Sequence, residues 1–400
     1  MRRVVITGAG TVNPLGTSLA QTYQALSDGR SAIGPLAFVD LERLTIRIGA
    51  PVRDWQADVA PAVAAMCDRS TLMALDAAAQ AVAMAGLELR GPEVLDAGVI
   101  MGTAGGGHHS AEDAYRAVFA EGKSRVHPLT VPRMMANAAA GQIAIAHGLK
   151  GPGLTVSTAC ASSNHAIGLG FQMVALGQAE VMLAGGAEAM LDFGGIKVWE
   201  ALRVLSPDGC RPFSADRNGM VQGEGAAVFV LEPLTRAQAR GAAILAEITG
   251  FGMTSDATDM IVPQVDGAVR AMQKALQMAR LDPCDIGYVN AHGTGTQAND
   301  RAEAAAMAQV FGAGAVPVSS TKAAHGHLIG AAGAVELIAC LLALNKGLLA
   351  PNVGVTAPDP ALQVDLVCGQ ARRRAVGACL SNSFAFGGLN GVLCLGSAPS

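Results

Sequence analysis

Cys160 lies in the run Val156-Ser157-Thr158-Ala159-Cys160-Ala161-Ser162-Ser163, and two later segments each deliver a histidine among small residues. These are Asn290-Ala291-His292-Gly293-Thr294-Gly295-Thr296 and Ser320-Thr321-Lys322-Ala323-Ala324-His325-Gly326-His327. A thiol at a strand-to-helix turn, served by two imidazoles, is the equipment for acyl transfer through a thioester. One imidazole is enough for a cysteine acyltransferase that needs a base. A second, neutral imidazole can hold the enolate that forms when a carboxylate leaves as carbon dioxide.

Each of these residues also has a plainer reading. A cysteine after an apolar strand is commonly buried and inert. At the N-terminal end of the following helix, however, unpaired N–H groups and the helix dipole favour a thiolate and can supply half an oxyanion hole. His292 follows a strand, Gly287–Asn290, in a turn whose Thr294, Thr296 and glycines suit the close approach of an extended polar ligand. Asp300 and Glu303 open the next helix as capping and dipole partners. Lys322, His325 and His327 precede an apolar helix, where His292, His325 and His327 offer three imidazoles to zinc, with no carboxylate or cysteine spaced to complete the set. Glu336 is a lone carboxylate on that helix. Buried charges are normally paired, and Lys322 is its natural partner.

Three weaker signals are set aside. Gly8-Ala9-Gly10-Thr11-Val12-Asn13 begins like a dinucleotide fingerprint but has Asn13 where the third glycine belongs. Gly122-Lys123-Ser124 resembles the end of a phosphate loop but has Ala117 in place of its first glycine. His108-His109, after three glycines, reads as a solvated loop pair. Near the C-terminus, Ser383-Phe384-Ala385-Phe386-Gly387-Gly388-Leu389-Asn390 is a glycine loop with aromatic side chains. It can bring a backbone N–H to a reaction centre while a ring moves as a gate. Otherwise it is an ordinary hairpin before the strand Val392–Leu395.

The elements that must position these groups follow from short β-branched runs alternating with Ala-rich helical stretches. Such runs are Val4–Ile6, Val99–Met101, Thr155–Ser157, Val181–Leu183, Ala227–Val230, Tyr288–Asn290 and Val316–Ser319. Their low polarity predicts strands buried on both faces in a layered α/β architecture. The helix after Cys160 has small residues on several faces, as a fully buried helix does. The chain also repeats itself. Ile6-Thr7-Gly8-Ala9-Gly10 recurs as Ile248-Thr249-Gly250-Phe251-Gly252, and Val156–Gly168 can be laid without gaps on Val318–Gly330, pairing His165 with His327. A duplicated unit with a boundary near Leu231–Gly241 puts residues 1–236 in one half and 237–400 in the other. The nucleophile and the Lys/His segment then occupy equivalent turns. An insertion around Gly105–Lys150 lengthens the first copy.

Composition excludes other classes. The 400 residues carry a formal net charge of −4 and 4% aromatic residues, which leaves no footprint for nucleic acid. At 51% hydrophobic, 15% charged and a mean hydropathy of +0.35, the chain predicts an apolar subunit interface. Eight cysteines without a C-x-x-C pair read as small hydrophobes in a reducing compartment. The N-terminus reads as a first strand, and Glu336 interrupts the apolar run Leu328–Leu344. A soluble, cytoplasmic protein is expected.

These segments, together with Arg211-Pro212-Phe213-Ser214, Asp216-Arg217 and Gly219, resemble the β-ketoacyl-[acyl-carrier-protein] synthases of types I and II from Arg2 to Gly396. The stretch from Arg203-Val204-Leu205-Ser206-Pro207 to Gly225 is similar to the specialised, nodulation-type members. The resemblance implies a thiolase fold, five-layered α-β-α-β-α, a homodimer (or a heterodimer with a second ketosynthase-like subunit), an acyl carrier protein as partner, and no metal or redox cofactor. It makes Cys160 the acylated nucleophile, His292 and His327 the decarboxylation pair, and Lys322 and Glu336 the supporting charges. Phe386 becomes the gate whose N–H joins that of Cys160 in the oxyanion hole, with Asp256 on a second gating loop and Thr294 and Thr296 holding phosphopantetheine. His325 stands where a threonine is common, Ala385 and Leu389 replace a glycine and a threonine of the gating loop, and Gln297 a proline. Gly105 and Thr130 fall where larger side chains often narrow the acyl tunnel. Arg69, Arg203 and Arg211 are the candidates for docking an acidic carrier. Two rivals remain: a non-catalytic chain-length partner, which typically lacks the nucleophile, and a thiolase or coenzyme A acyltransferase, against which the histidine pair with Lys322 speaks.

Overall fold

A computed structural model describes residues 1–89, 91, 95–355 and 357–399. Eleven strands form one continuous sheet surface. In chain order they are β1 (Val4–Val12), β2 (Ala97–Gly102), β3 (Gly153–Val156), β4 (Val181–Glu188), β5 (Gly225–Pro233), β6 (Ala246–Ser255), β7 (Ile286–Asn290), β8 (Pro317–Ser319), β9 (Asp365–Leu366), β10 (Ala378–Ala385) and β11 (Leu389–Gly396). Their spatial order is β9-β8-β7-β10-β11-β6-β1-β5-β4-β2-β3.

That order contains a repeat. From the middle outward, one side runs β1-β5-β4-β2-β3 and the other β6-β11-β10-β7-β8. On each side the first two pairings are antiparallel and the last two parallel. The sides meet where Val4–Ile6 of β1 pairs antiparallel with Ala246–Ile248 of β6. The recurring Gly-x-Gly has the same cause in both. An added Cβ would sit 2.1 Å from the Ala81 carbonyl oxygen at Gly8 and 2.0 Å from that of Ala77 at Gly10. At Gly250 and Gly252 it would meet the Ala275 and Ala271 oxygens at 2.1 and 1.9 Å. Each Gly-x-Gly thus lets a helix, α1 (Arg69–Ala85) or α3 (Val265–Ala279), lie directly on its strand. The glycines of residues 8–10 serve packing, not a phosphate.

Two further helices, α2 (Ser162–Ala175) and α5 (Ala332–Lys346), are buried between the two sides, and α4 (Gln297–Phe311) joins α3 on the outer face. Ile167, Phe171, Val174, Val335, Leu337 and Leu341 form one core with inward residues of β1, β4, β5, β10 and β11. The layers are α-β-α-β-α, the thiolase arrangement. Because this core belongs to both halves, they are not separately packed domains; β5 ends at Pro233 and β6 begins at Ala246. Ile329–Lys346, the segment among the described residues long and apolar enough to cross a membrane, is largely buried in that core.

The gapless match between the halves holds at the strands and fails beyond them. Helix α2 starts at Ser162, six residues after β3 ends, whereas α5 starts at Ala332, thirteen after β8 ends. His165 therefore lies inside a helix and His327 in a loop, so the two are not equivalent. The longer connection of the first half, Thr103 to Pro152, carries helices His108–Tyr115, Thr130–Met134 and Ala138–His147. It leaves Tyr115, Phe119, Val131 and Ile145 exposed, and Leu154 on the edge strand β3 is exposed too.

Candidate active site

Cys160, His292 and Lys322–His327 all follow the C-terminal ends of parallel strands, β3, β7 and β8. The chain turns from β3 into α2 through Ala159, which has a left-handed φ of 47°. This turn aims Cys160 at the second half. The Cys160 sulfur and one nitrogen of each of His292 and His327 lie within 4.8 Å of one another, all buried.

The tautomer of His327 follows from its neighbours. Its Nδ1 accepts the Ile329 N–H at 3.1 Å, so in the neutral ring the proton sits on Nε2. That N–H faces Cys160 Sγ at 3.1 Å. Burial pushes His327 well below the ordinary histidine range, and the Lys322 ammonium adds to this. His292 is likewise held far down by burial, then by Lys322, whose Nζ is 3.5 Å from its Nδ1. Lys322 also donates to the His292 carbonyl at 2.5 Å and forms a fully buried ion pair with Glu336. The site therefore holds two neutral imidazoles, each with an N–H available, braced by one buried cation.

Cys160 itself departs from expectation. Burial pushes its thiol up to about 12, with Lys322 opposing, so the resting group is a thiol and not a thiolate. Desolvation outweighs the Lys322 cation and the Cys160 backbone N–H here.

Asp300 and Glu303 are not ordinary helix caps. Both are buried. Glu303 accepts the N–H groups of His292 and Gly293 at 2.8 and 2.7 Å, and Asp300 those of Phe213 and Gly295 at 2.8 and 3.2 Å. They shape the histidine turn from beneath, and burial raises Glu303 to about 7. His325 points away from the thiol. Its Nδ1 meets the Gly326 carbonyl at 2.7 Å and its Nε2 the Thr321 hydroxyl at 2.9 Å. It cannot join a three-imidazole zinc set. The remaining trio of Cys160, His292 and His327 has a lysine cation at its back, which opposes a second cation.

A pocket leads to Cys160, lined by His292, His327, Thr294, Thr296, Asp256 and Phe386, among others. Thr294 and Thr296 join hydroxyls at 2.8 Å. Asp256 accepts from Asn390 Nδ2 at 2.7 Å and from the Gln264 N–H at 3.1 Å, which couples the two loops at the mouth. Gly105 and Thr130 do not line this pocket. A Cβ on Gly105 would meet Met190 Sδ at 2.7 Å. Thr130 bonds the His127 carbonyl on the inserted segment.

His108 and His109 are half-buried at the start of a helix and flank Asp192 at 2.9 and 3.5 Å, so they are not a solvated loop pair. Of the docking candidates, Arg69 is engaged with Glu224 at 2.6 Å and Arg211 with Asp208 and Asp216 at 3.0 and 3.1 Å. Arg203 remains exposed. Sequence reasoning missed Glu188. This buried carboxylate accepts the N–H groups of Ala104, Gly105 and Gly330 at 2.7, 3.0 and 3.1 Å, tying the turn after β2 to the loop behind His327. As a single acid closing an apolar strand, it carries the same signal that marked Glu336.

The profile of the beta-ketoacyl synthase N-terminal domain matches residues 1–237, and that of the C-terminal domain residues 245–356. The chain belongs to the β-ketoacyl synthase family, the condensing acyltransferases. Nodulation protein E of Rhizobium sp. is 44% identical over 395 residues, covering 98% of each chain. The 3-oxoacyl-[acyl-carrier-protein] synthase 2 of Synechocystis sp. is 39% identical over 404 residues, covering 98% of this chain and 97% of its own. The solved ishigamide ketosynthase/chain length factor superposes with a TM-score of 0.95 at 34% identity, over 100% of each chain.

Proposed function

We propose that the protein catalyses decarboxylative Claisen condensation of malonyl-[acyl-carrier-protein] with an acyl group held on Cys160, in fatty-acid, specialised lipid or polyketide elongation. The observation that carries this reading is the Nε2–H of a neutral His327 facing the Cys160 sulfur at 3.1 Å. In the first half-reaction, Cys160 Sγ attacks the carrier thioester. Its S–H bond breaks, the carrier's C–S bond breaks, and the proton ends on the departing pantetheine sulfur. The His327 N–H stabilises the charge gathering on Sγ, and the N–H groups of Cys160 and Phe386 take the oxyanion.

In the second half-reaction, Thr294 and Thr296 hold the phosphopantetheine arm. The N–H groups of His292 and His327 receive the malonyl thioester oxygen as the C–C bond to the carboxylate breaks. The electron pair released attacks the acyl carbon on Cys160, and the thiolate leaves and takes a proton from solvent. Every electron pair is supplied by the two thioesters and one proton comes from solvent, so no metal or redox cofactor takes part. The Lys322–Glu336 pair keeps both imidazoles neutral and oriented.

A homodimer forms across the exposed face of the inserted segment and the edge strand Gly153–Val156, where Leu154, Phe119 and Ile145 would otherwise meet water. A second ketosynthase-like chain would occupy the same face in a heterodimer. The carrier is the other partner, and the location is cytoplasmic. The direct test exposes the purified chain to acyl-carrier and to acyl-coenzyme A and measures intact mass. An adduct on Cys160 that forms faster from the carrier supports the reading. An adduct formed only from coenzyme A contradicts it.

A further inference from the structure

The Phe386 ring rests against the indole of Trp199, with centroids 5.9 Å apart and planes at 21°. Both rings line the pocket that ends at Cys160. The two sides of this stack are held very differently. Trp199 belongs to the helix Phe193–Ala201, which is pinned at both ends. At its start, Asp192 accepts the Gly195 N–H at 2.7 Å and Glu112 the Gly194 N–H at 2.6 Å. Near its end, Glu200 accepts the backbone N–H groups of Thr45 and Ile46 at 2.5 and 2.7 Å. Trp199 also packs on a buried cluster that includes Leu36, Leu44, Ile196 and Leu205. Phe386, by contrast, leads into Gly387 and Gly388, whose φ values of 82° and 67° only glycine adopts readily. Its loop is tied by two backbone bonds, Gly387 N–H to the Met260 carbonyl at 2.7 Å and Asp256 N–H to the Gly388 carbonyl at 2.9 Å, and by Asn390 Nδ2, which donates to the Gly388 carbonyl at 3.3 Å. Met260 is itself exposed.

We propose that Trp199 is a positioning residue for the condensation: its fixed indole is the platform on which the Phe386 gate parks, and the gate moves by Phe386 leaving that platform. The inference rests on the condensation reading, which gives the Phe386 loop its part in the reaction. An aromatic pair contributes about a factor of 2 to 10 beyond the area it buries. That is enough to set how often the gate stands in place without locking it.

The chain has two tryptophans, so Trp55→Phe leaves Trp199 as the sole indole. In that background, acylation of Cys160 is followed by intact mass and by indole emission together. The expected result is an emission change that tracks adduct formation and is lost in Phe386→Ala once its adduct has formed. Trp199→Phe should condense within about twofold of the parent, while Trp199→Leu, closer in bulk to the phenylalanine variant than to tryptophan but not aromatic, falls about tenfold. An adduct without an emission change overturns the platform, as does an emission change that survives Phe386→Ala. Equal rates for the phenylalanine and leucine variants overturn it too, since filling space would then be all that Trp199 does. If the parent forms no adduct at all, the condensation reading falls first, and the platform with it.

Discussion

The two halves share strand order, strand direction and the Gly-x-Gly contact with an outer helix, yet their equivalent turns carry opposite equipment. In the first half, the short turn after Val156 presents a neutral thiol at the start of a buried helix. In the second, the longer turn after Ser319 presents a buried cation and an imidazole. The scaffold brings the two turns face to face, and the extra residues decide which chemistry each side supplies. The histidines sharpen the contrast. His165 uses both nitrogens, on the Thr158 hydroxyl at 2.7 Å and the Asn390 carbonyl at 3.1 Å, and His325 uses both of its own. His327 spends one nitrogen on Ile329 and turns the other toward Cys160. An imidazole with both nitrogens engaged is structural; one with a nitrogen to spare can act on substrate.

The largest effect expected is on the first-half turn. Cys160→Ala should abolish both acyl loading and condensation, read by intact mass and by product formation. Near-parent β-ketoacyl synthesis by this variant would remove the nucleophile from the comparison.

The second-half turn should fail differently, through its charge. Lys322→Met strands Glu336 in the core, which costs about 3–5 kcal/mol by the usual penalty for breaking a buried pair. Urea unfolding should show the loss. The same change bears on pH. His292 and His327 are depressed by burial and by Lys322, so in the parent they stay neutral as pH falls through 6.5, and the decarboxylation rate should show no limb there. Removing the cation raises both pKa values, so any acidic limb must move to higher pH in Lys322→Met.

Smaller effects separate the saturated from the acting imidazoles. His325→Ala should cost less than tenfold in rate, because its two hydrogen bonds serve only the turn. The smallest effect is expected at the surface. Arg203→Glu should raise KM for a carrier-bound substrate and leave a small pantetheine thioester unaffected. Equal losses with both would make Arg203 a support for the fold.

Much of this was legible in the sequence because the strands are apolar on both faces and the site residues sit at strand ends. Lys322 and Glu336 could be paired in advance, since a lone carboxylate on an apolar helix needs a cation. What sequence spacing could not reveal was depth. Cys160 looks activated beside a helix start, yet burial makes it a thiol. Asp300 and Glu303 look like caps, yet they lie beneath the histidine turn. The gapless overlay of the halves misled for a related reason: a loop can lengthen at a turn while the residue pattern continues to match by chance.

The central claim is that His327 supplies an N–H to a substrate oxyanion and does not serve as the base for Cys160. It is tested most directly by comparing His327→Ala with the parent in one sample, following acyl adduct on Cys160 by mass and carbon dioxide release from malonyl-carrier. The account predicts that the adduct still forms while carbon dioxide release falls by about 10²–10³. Loss of the adduct with decarboxylation intact would contradict it and make His327 the base.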